Sequence, residues 1–275
     1  MRPVTTLHAV VDGPPDAVTP TMLIHGVGSD LTRWDPVVAP LAANGTVVRY
    51  DLRGHGASMK PPGPYDIADF VADHMRLMSE LGIERANVVG FSLGGLIAQA
   101  VALRHPDVVE KLVILSAVAG RTEEQRAAAL ERLRAVEDGG PALVADGGAR
   151  WYTDDFRARH PEVVRAHLER FVRNDPAAYT AAFRVLATTD LIDELHRITA
   201  PTLVMTGSLD VGSPPAMAEA MHDRIPGSRL MIVEGVKHAI LEEAPDVVAT
   251  TIRDFLHPQG DSPVPPSRPA TTSGD

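Results

Sequence analysis

Seven short runs of apolar and β-branched residues recur along this chain, and several are too continuously apolar to be strands with one face in water. They are Thr5–Val11, Met22–Ile24, Thr46–Tyr50, Asn87–Phe91, Leu112–Ser116, Thr202–Thr206 and Arg229–Val233. Runs of this kind read as parallel strands buried on both faces. Helical patterns lie between and after them, near Trp34–Asn44, Ile67–Leu81, Leu96–His105, Pro214–Ile225 and Pro245–Leu256. Such alternation predicts an α/β fold, a mostly parallel sheet with helices on both faces. Ligands of such sheets bind at the carboxyl ends of the strands.

The alternation stops from about Arg121 to Arg197. Four helices are expected there: Glu123–Glu137, strongly amphipathic, then Ala142–Tyr152, Pro161–Arg173 and Pro176–Thr188. An all-helical insertion between two core strands predicts a cap over one edge of the sheet. The expected organisation is a core of residues 1–120 and 198–257, a helical cap of residues 121–197, and a tail of residues 258–275. The tail, PQGDSPVPPSRPATTSGD, has little to bury and is expected to be disordered.

A chain of 275 residues can bury a large core without staples. It has no cysteine, so redox chemistry does not indicate a compartment. The formal charge of -10 argues against nucleic acid or an anionic membrane as partner. The first residues, MRPVTTLHAVVDGPPD, lack an apolar signal-peptide core. No run approaches the roughly 20 apolar residues of a membrane span, so a soluble cytoplasmic protein is expected.

The chemistry begins at Gly90-Phe91-Ser92-Leu93-Gly94-Gly95, between an expected strand and an expected helix. This is the setting of a G-x-S-x-G nucleophile elbow, in which a tight turn presents a serine and excludes neighbouring side chains. A serine hydroxyl needs a base to take its proton. Among eleven histidines, His238 follows the last strand, where the base is expected. The others read as loop-shaping residues (His25, His55), as surface or half-buried groups on helices (His167 among them), or as residues near the ends. Asp210, just after the strand Thr202–Thr206, is the expected partner of His238, giving the chain order Ser, Asp, His. The loop His25-Gly26-Val27-Gly28 supplies a sharp turn, and the N–H groups of Val27 and Leu93 are the candidate oxyanion donors. In Asp51-Leu52-Arg53-Gly54-His55-Gly56, Asp51 and Arg53 are expected to pair locally. No metal-binding cluster and no dinucleotide-binding G-x-G-x-x-G stand out, so neither metal nor cofactor is expected.

In order and spacing, HGVG, DLRGHGAS, GFSLGG, GSLD and KHAILEEAP resemble the α/β-hydrolase superfamily from about Thr5 to Leu256. Within it the chain is most similar to 3-oxoadipate enol-lactonases and related bacterial esterases and lactonases. That resemblance is carried by Arg150-Trp151-Tyr152-Thr153, Phe156, His160-Pro161, Asp190-Leu191 and Ile198-Thr199-Ala200-Pro201-Thr202. Lys237 departs from it, because a small residue usually precedes the base; its ammonium is expected to point to solvent. Serine at position 92 sets the chain apart from dehalogenases and epoxide hydrolases, which use aspartate.

The resemblance implies a cofactor-free hydrolase that opens a small-molecule ester or lactone through an acyl-enzyme, with Ser92, Asp210 and His238 as the triad. It also implies a substrate carboxylate away from the reacting carbonyl. Arg150, a planar fork, and Trp151, a rigid wall, are the candidate substrate contacts. The rival readings are a C–C bond hydrolase of ring-fission products and a non-catalytic receptor for a small ligand. Glu234 and Glu242 read as surface or loop residues.

Overall fold

Side chains alternate between the two faces of a strand, so a strand buried on both faces must feed two separate cores. The computed structural model, which describes residues 6–14, 19–144 and 146–258, shows this division. Seven strands form one sheet: β1 (Ala9–Asp12), β2 (Thr21–Ile24), β3 (Val47–Tyr50), β4 (Ala86–Phe91), β5 (Val109–Leu115), β6 (Thr202–Gly207) and β7 (Arg229–Val233). Their order is β1-β3-β2-β4-β5-β6-β7. β1 pairs antiparallel with β3, and every other pairing is parallel.

One face carries Met22, Ile24, Val88, Leu112, Ile114 and Val204, covered by α2 (Ile67–Glu80), α3 (Leu93–Arg104) and α8 (Pro215–Arg224). The other carries Leu23, Val89, Val113, Leu203 and Met205, under α1 (Asp35–Ala42), α9 (Ile240–Glu243) and α10 (Pro245–Leu256). β2 lies between β3 and β4, so the chain reverses its direction of travel across the sheet at β2. This reversal brings the loops after β2 and β4 together at the carboxyl edge, where a crevice is expected.

Between β5 and β6 the described residues hold helices and no strand: α4 (Glu123–Gly139), α5 (Asp154–Arg159), α6 (Pro161–Val172) and α7 (Pro176–Thr188). α4 begins with a reciprocal cap between Thr122 and Gln125. It buries only Leu133 and Val136, less than a strongly amphipathic helix would. The helix expected over Ala142–Tyr152 does not form. Two 3₁₀ turns, Pro141–Val144 and Asp146–Gly148, take its place. Asp146 and Gly148 both have positive φ, which a helix cannot contain. The following turn is helical instead: Thr153 caps α5, its side chain accepting from the Phe156 N–H. Within the described residues no helix is long and apolar enough to cross a membrane. The expected tail lies outside the described residues from 259 onward.

The turn between β4 and α3 tolerates no added carbon at its glycines. A Cβ on Gly90 would overlap the carbonyl oxygen of Gly94, and one on Gly94 the carbonyl oxygen of Ile24. Both obstacles are backbone, which cannot swing aside. Gly90→Ala is therefore expected to lower unfolding free energy by about 1–3 kcal/mol or more. Denaturant titration measures this, and an unchanged midpoint would show that the turn can widen.

Candidate active site

Ser92 sits between β4 and α3 with φ 56° and ψ -116°, a left-handed conformation that a serine rarely adopts. Its N–H donates to the Leu115 carbonyl (2.9 Å), and its own carbonyl accepts from Gly95 and Leu96. The backbone is thus pinned on both sides, which is what a strained residue requires to persist. Ser92 lines a cavity of about 470 Å³ together with Gly26, Val27 and His238.

His238 follows β7, and its Nδ1 lies 2.7 Å from Asp210 Oδ2. Asp210 is itself held: Oδ1 accepts from the N–H groups of Gly212 (2.7 Å) and Ser213 (2.9 Å). Burial opposes ionisation of this carboxyl, but the His238 ring and these two N–H groups outweigh it. Its pKa lies below the ordinary carboxylate value. Asp210 therefore stays an acceptor, the Nδ1 proton stays between the two residues, and Nε2 of His238 is left for the cavity. The structure brings all three sequence-predicted residues to one carboxyl edge of the sheet.

Val27 and Leu93, the candidate oxyanion donors, stand in the loop after β2 and at the first position of α3. Neither N–H has an acceptor among the described residues. Two buried histidines shape this edge. His55 Nε2 accepts from the Gly28 N–H (3.0 Å), and His25 Nε2 accepts from the Leu52 N–H (2.9 Å). The expected Asp51–Arg53 pair does not form. Asp51 instead accepts from the backbone of Leu31 and Ala57, and Arg53 pairs with Asp73 (2.6 Å) and Asp69 (3.2 Å) on α2. A carboxylate inside a turn is more closely supplied by the N–H groups of that turn than by an arginine two residues on.

The cap closes over the cavity and touches both loops. Asn174 Nδ2 donates to the Gly28 carbonyl (2.9 Å), and a Cβ on Gly28 would lie 2.6 Å from the Phe171 ring. On the other side, Ala239 N–H donates to the Trp151 carbonyl (2.9 Å), and Glu243 accepts from the N–H and hydroxyl of Thr153. Lys237, expected in solvent, instead donates from Nζ to the Ala149 carbonyl (2.8 Å). A partly buried ammonium is satisfied by the cap backbone that passes over it.

Arg150 and Trp151 both line the cavity. The Arg150 guanidinium has no ion pair or hydrogen bond among the described residues, although Asp146 shares the same wall. Trp151 packs against His167 and Phe171, with ring centroids 5.1 and 4.9 Å away. Sequence reasoning missed a buried polar cluster beside them. Arg33, 2 % exposed, pairs with Glu242 (2.5 Å) and donates to His167 Nδ1 (2.8 Å). Burial alone would lower the Arg33 pKa; the Glu242 carboxylate and the Tyr152 hydroxyl together more than offset this and raise it. Glu242, expected at the surface, and His167, expected as an ordinary helix histidine, are both drawn inward by this arginine. Nothing local in the sequence marks Arg33, which stands in a 3₁₀ turn before Trp34.

Four histidines here are held neutral. Burial lowers the His55 pKa to about 3 and the His74 pKa to about 4, and depresses His25 and His167 as well. Below the ordinary value of 6.5 the unfolded chain binds protons that the folded chain refuses. The stability they confer is present above that value and is lost as pH falls toward the folded-state values. Unfolding midpoints are therefore expected to drop between about pH 7 and about pH 5, before most carboxylates titrate. A flat profile over that window would mean these histidines gain protons in the folded state.

The family model for the alpha/beta hydrolase fold matches residues 20–245, from just before β2 to the first residue of α10. The chain is 30 % identical over 211 residues to 3-oxoadipate enol-lactonase 2 of Acinetobacter baylyi, covering 76 % of this chain and 78 % of that one. It is 30 % identical to a pimeloyl-[acyl-carrier protein] methyl ester esterase of Neisseria meningitidis, covering 88 % and 94 %. Among solved structures, the enol-lactonase of Burkholderia xenovorans superposes with a TM-score of 0.85 at 34 % identity, over 92 % of this chain and 96 % of that one. The sheet order, the turn at Ser92 and these matches agree, and the chain belongs to the α/β-hydrolase fold family.

Proposed function

We propose that the protein is a serine hydrolase that cleaves a carboxylic ester or lactone through an acyl-enzyme. The observation that carries this reading is the 2.7 Å bond from His238 Nδ1 to an anchored, ionised Asp210, with His238 and Ser92 on one cavity wall. In this reading His238 Nε2 takes the proton of Ser92 Oγ as that oxygen attacks the carbonyl carbon. The oxyanion forms between the N–H groups of Val27 and Leu93, and the first-turn dipole of α3 favours its charge. His238 then passes its proton to the leaving oxygen. Water, activated by the same base, releases the acid. In a lactone both halves stay joined, and when the leaving oxygen is an enol its tautomerisation to a ketone makes opening irreversible. The names of the similar proteins, two enol-lactonases and a methyl ester esterase, support an oxygen ester as the bond attacked.

The same reading gives Arg150 and Trp151 the substrate. A guanidinium without a protein partner on a cavity wall is a fork for a carboxylate, and Trp151 is a flat surface beside it. Arg121 also lines this wall, but its donors are committed to the carbonyls of Leu186 and Thr189. The substrate class is thus a small ester or lactone that carries an anionic group.

A panel of p-nitrophenyl acetate, several lactones and a ring-fission dienoate tests the bond class. Turnover of the dienoate alone would point to C–C hydrolysis, and turnover of none to a receptor. Ser92→Ala is expected to fold normally and to leave only the residual catalysis of the oxyanion site, roughly 10³-fold over water. Activity within about tenfold of the parent would remove Ser92 as nucleophile. Asp210→Asn is expected to cost about 10⁴ in kcat, because an amide favours the wrong tautomer of His238. For Arg150→Ala, kcat/KM on an anionic lactone should fall by roughly 10- to 100-fold with neutral p-nitrophenyl acetate nearly unaffected. Equal losses on both substrates would make Arg150 a structural residue.

A further inference from the structure

The His167 ring stands on α6 with its Nδ1 facing two donors, Arg33 Nη1 at 2.8 Å and the Tyr152 hydroxyl at 2.9 Å. A guanidinium has no lone pair to offer, so a proton on Nδ1 would point at another proton. The ring must therefore carry its hydrogen on Nε2. That nitrogen has no protein partner among the described residues and is not sealed away with the orphaned buried atoms. His167 lines the cavity, and Trp151 and Phe171 pack against its ring. The cavity that His167 lines is the one that holds Ser92 and His238, so an unpaired Nε2–H on this ring is available to a molecule bound there.

We propose that His167 is a fixed hydrogen-bond donor to the substrate, locked in one tautomer by Arg33 and Tyr152, and that it selects substrates with an acceptor oxygen in the leaving half. This rests on the hydrolytic reading above. The leaving half follows from position. Arg33, bonded to His167 Nδ1, lies over the same Phe91 ring that the His238 ring packs against, so His167 stands on the His238 side of the cavity, and His238 must face the leaving oxygen to protonate it.

The charges around the ring explain the rest of the cluster. A cationic His167 would oppose the imidazolium that forms at His238 during acylation. Burial opposes this first, and Arg33 on Nδ1 adds to it, with Arg170 and His238 acting in the same sense. Arg33 itself would be an unwelcome cation beside the base, but Glu242 cancels it at 2.5 Å. The pair therefore fixes a tautomer without adding net charge near the base. Phe91 completes the arrangement, with the Arg33 guanidinium 4.9 Å from the centre of its ring and the His238 ring 5.1 Å away.

Two matched ester pairs and one spectrum test the proposal. Butyl acetate and 2-methoxyethyl acetate have leaving groups of equal length and differ by one acceptor oxygen. In His167→Phe the preference for the methoxyethyl ester, as a ratio of kcat/KM values, is expected to fall by roughly five- to tenfold. His167→Gln, which can still donate, should recover part of it. Methyl pentanoate and methyl 3-methoxypropanoate place the same difference in the acyl half, and their ratio should not change. An unchanged acetate ratio, or a change confined to the acyl pair, would overturn the proposal. Hydrolysis of neither acetate and of no ester or lactone in the panel above would instead remove the hydrolytic reading, and the contact with a leaving half would fall with it; if lactones alone are opened, the same ratio is read on a lactone pair with and without the acceptor oxygen in the leaving half. Long-range proton–nitrogen NMR of labelled histidine tests the lock without turnover. His167 Nδ1 should remain unprotonated well below the ordinary imidazole value, while Arg33→Met/Glu242→Leu, which removes both charges together, should move its protonation upward toward that value, with burial still opposing it. Ordinary titration of His167 in the parent protein would show that no lock exists.

Discussion

The left-handed backbone at Ser92 is the constraint on which the remaining geometry depends. A residue with φ 56° at the end of a buried parallel strand reverses the chain within one turn and starts α3 at the next position. Strain of this kind costs on the order of 1–3 kcal/mol and survives only where its surroundings over-determine it. Here they do. Gly90 and Gly94 let backbone meet backbone without an intervening Cβ, β2 and β5 flank β4, and the Ser92 N–H is bound to β5. Once Ser92 is fixed at the carboxyl edge, the loops after β2, β6 and β7 are the segments that can reach it, and they carry Val27, Asp210 and His238.

The cap is tied to both halves of this machinery. Asn174 and Phe171 rest on the loop after β2, whereas Ala149, Trp151 and Thr153 are bonded to the segment from Lys237 to Glu243. The wall that carries Arg150 and Trp151 and the loop that holds His238 are therefore positioned by the same contacts. A displacement of the 149–153 segment would carry the His238 loop with it. The Arg33–Glu242 pair adds a charged fastening at the same place. Breaking a buried pair by removing one partner costs about 3–5 kcal/mol, whereas replacing both with apolar groups is often neutral. Retention of such a pair beside His238 is better explained by what it does to His167 than by stability.

How much of this was legible in the residues follows from the range of the forces involved. Strands β2, β4 and β6 were readable because continuous burial leaves an unbroken apolar run, and β7 and α10 begin and end where the pattern places them. Ser92 was readable because its turn is local: sterics at Gly90 and Gly94 act within a few residues. Asp210 and His238 were readable from their places after β6 and β7. The segment over Ala142–Tyr152 misled because its alanines and leucine suit a helix, while positive φ at Asp146 and Gly148 ends one. Lys237 misled because an ammonium goes to water unless a carbonyl passes over it, and that carbonyl comes from a segment far earlier in the chain.

By itself, then, the sequence determined the parallel sheet, the strained turn and the order in which Ser92, Asp210 and His238 arrive at one edge, all of which rest on short-range sterics and on hydrophobic periodicity. Only the tertiary structure decided the surroundings of that machinery: which wall of the cavity Arg150 and Trp151 form, and how Arg33, Glu242 and His167 meet. Arg33 and His167 are 134 residues apart. A charge on a helix or in a turn is drawn to water by default. It is buried only when packing of cap on core delivers a partner and excludes solvent at the same point, and no local pattern encodes where two distant surfaces will touch.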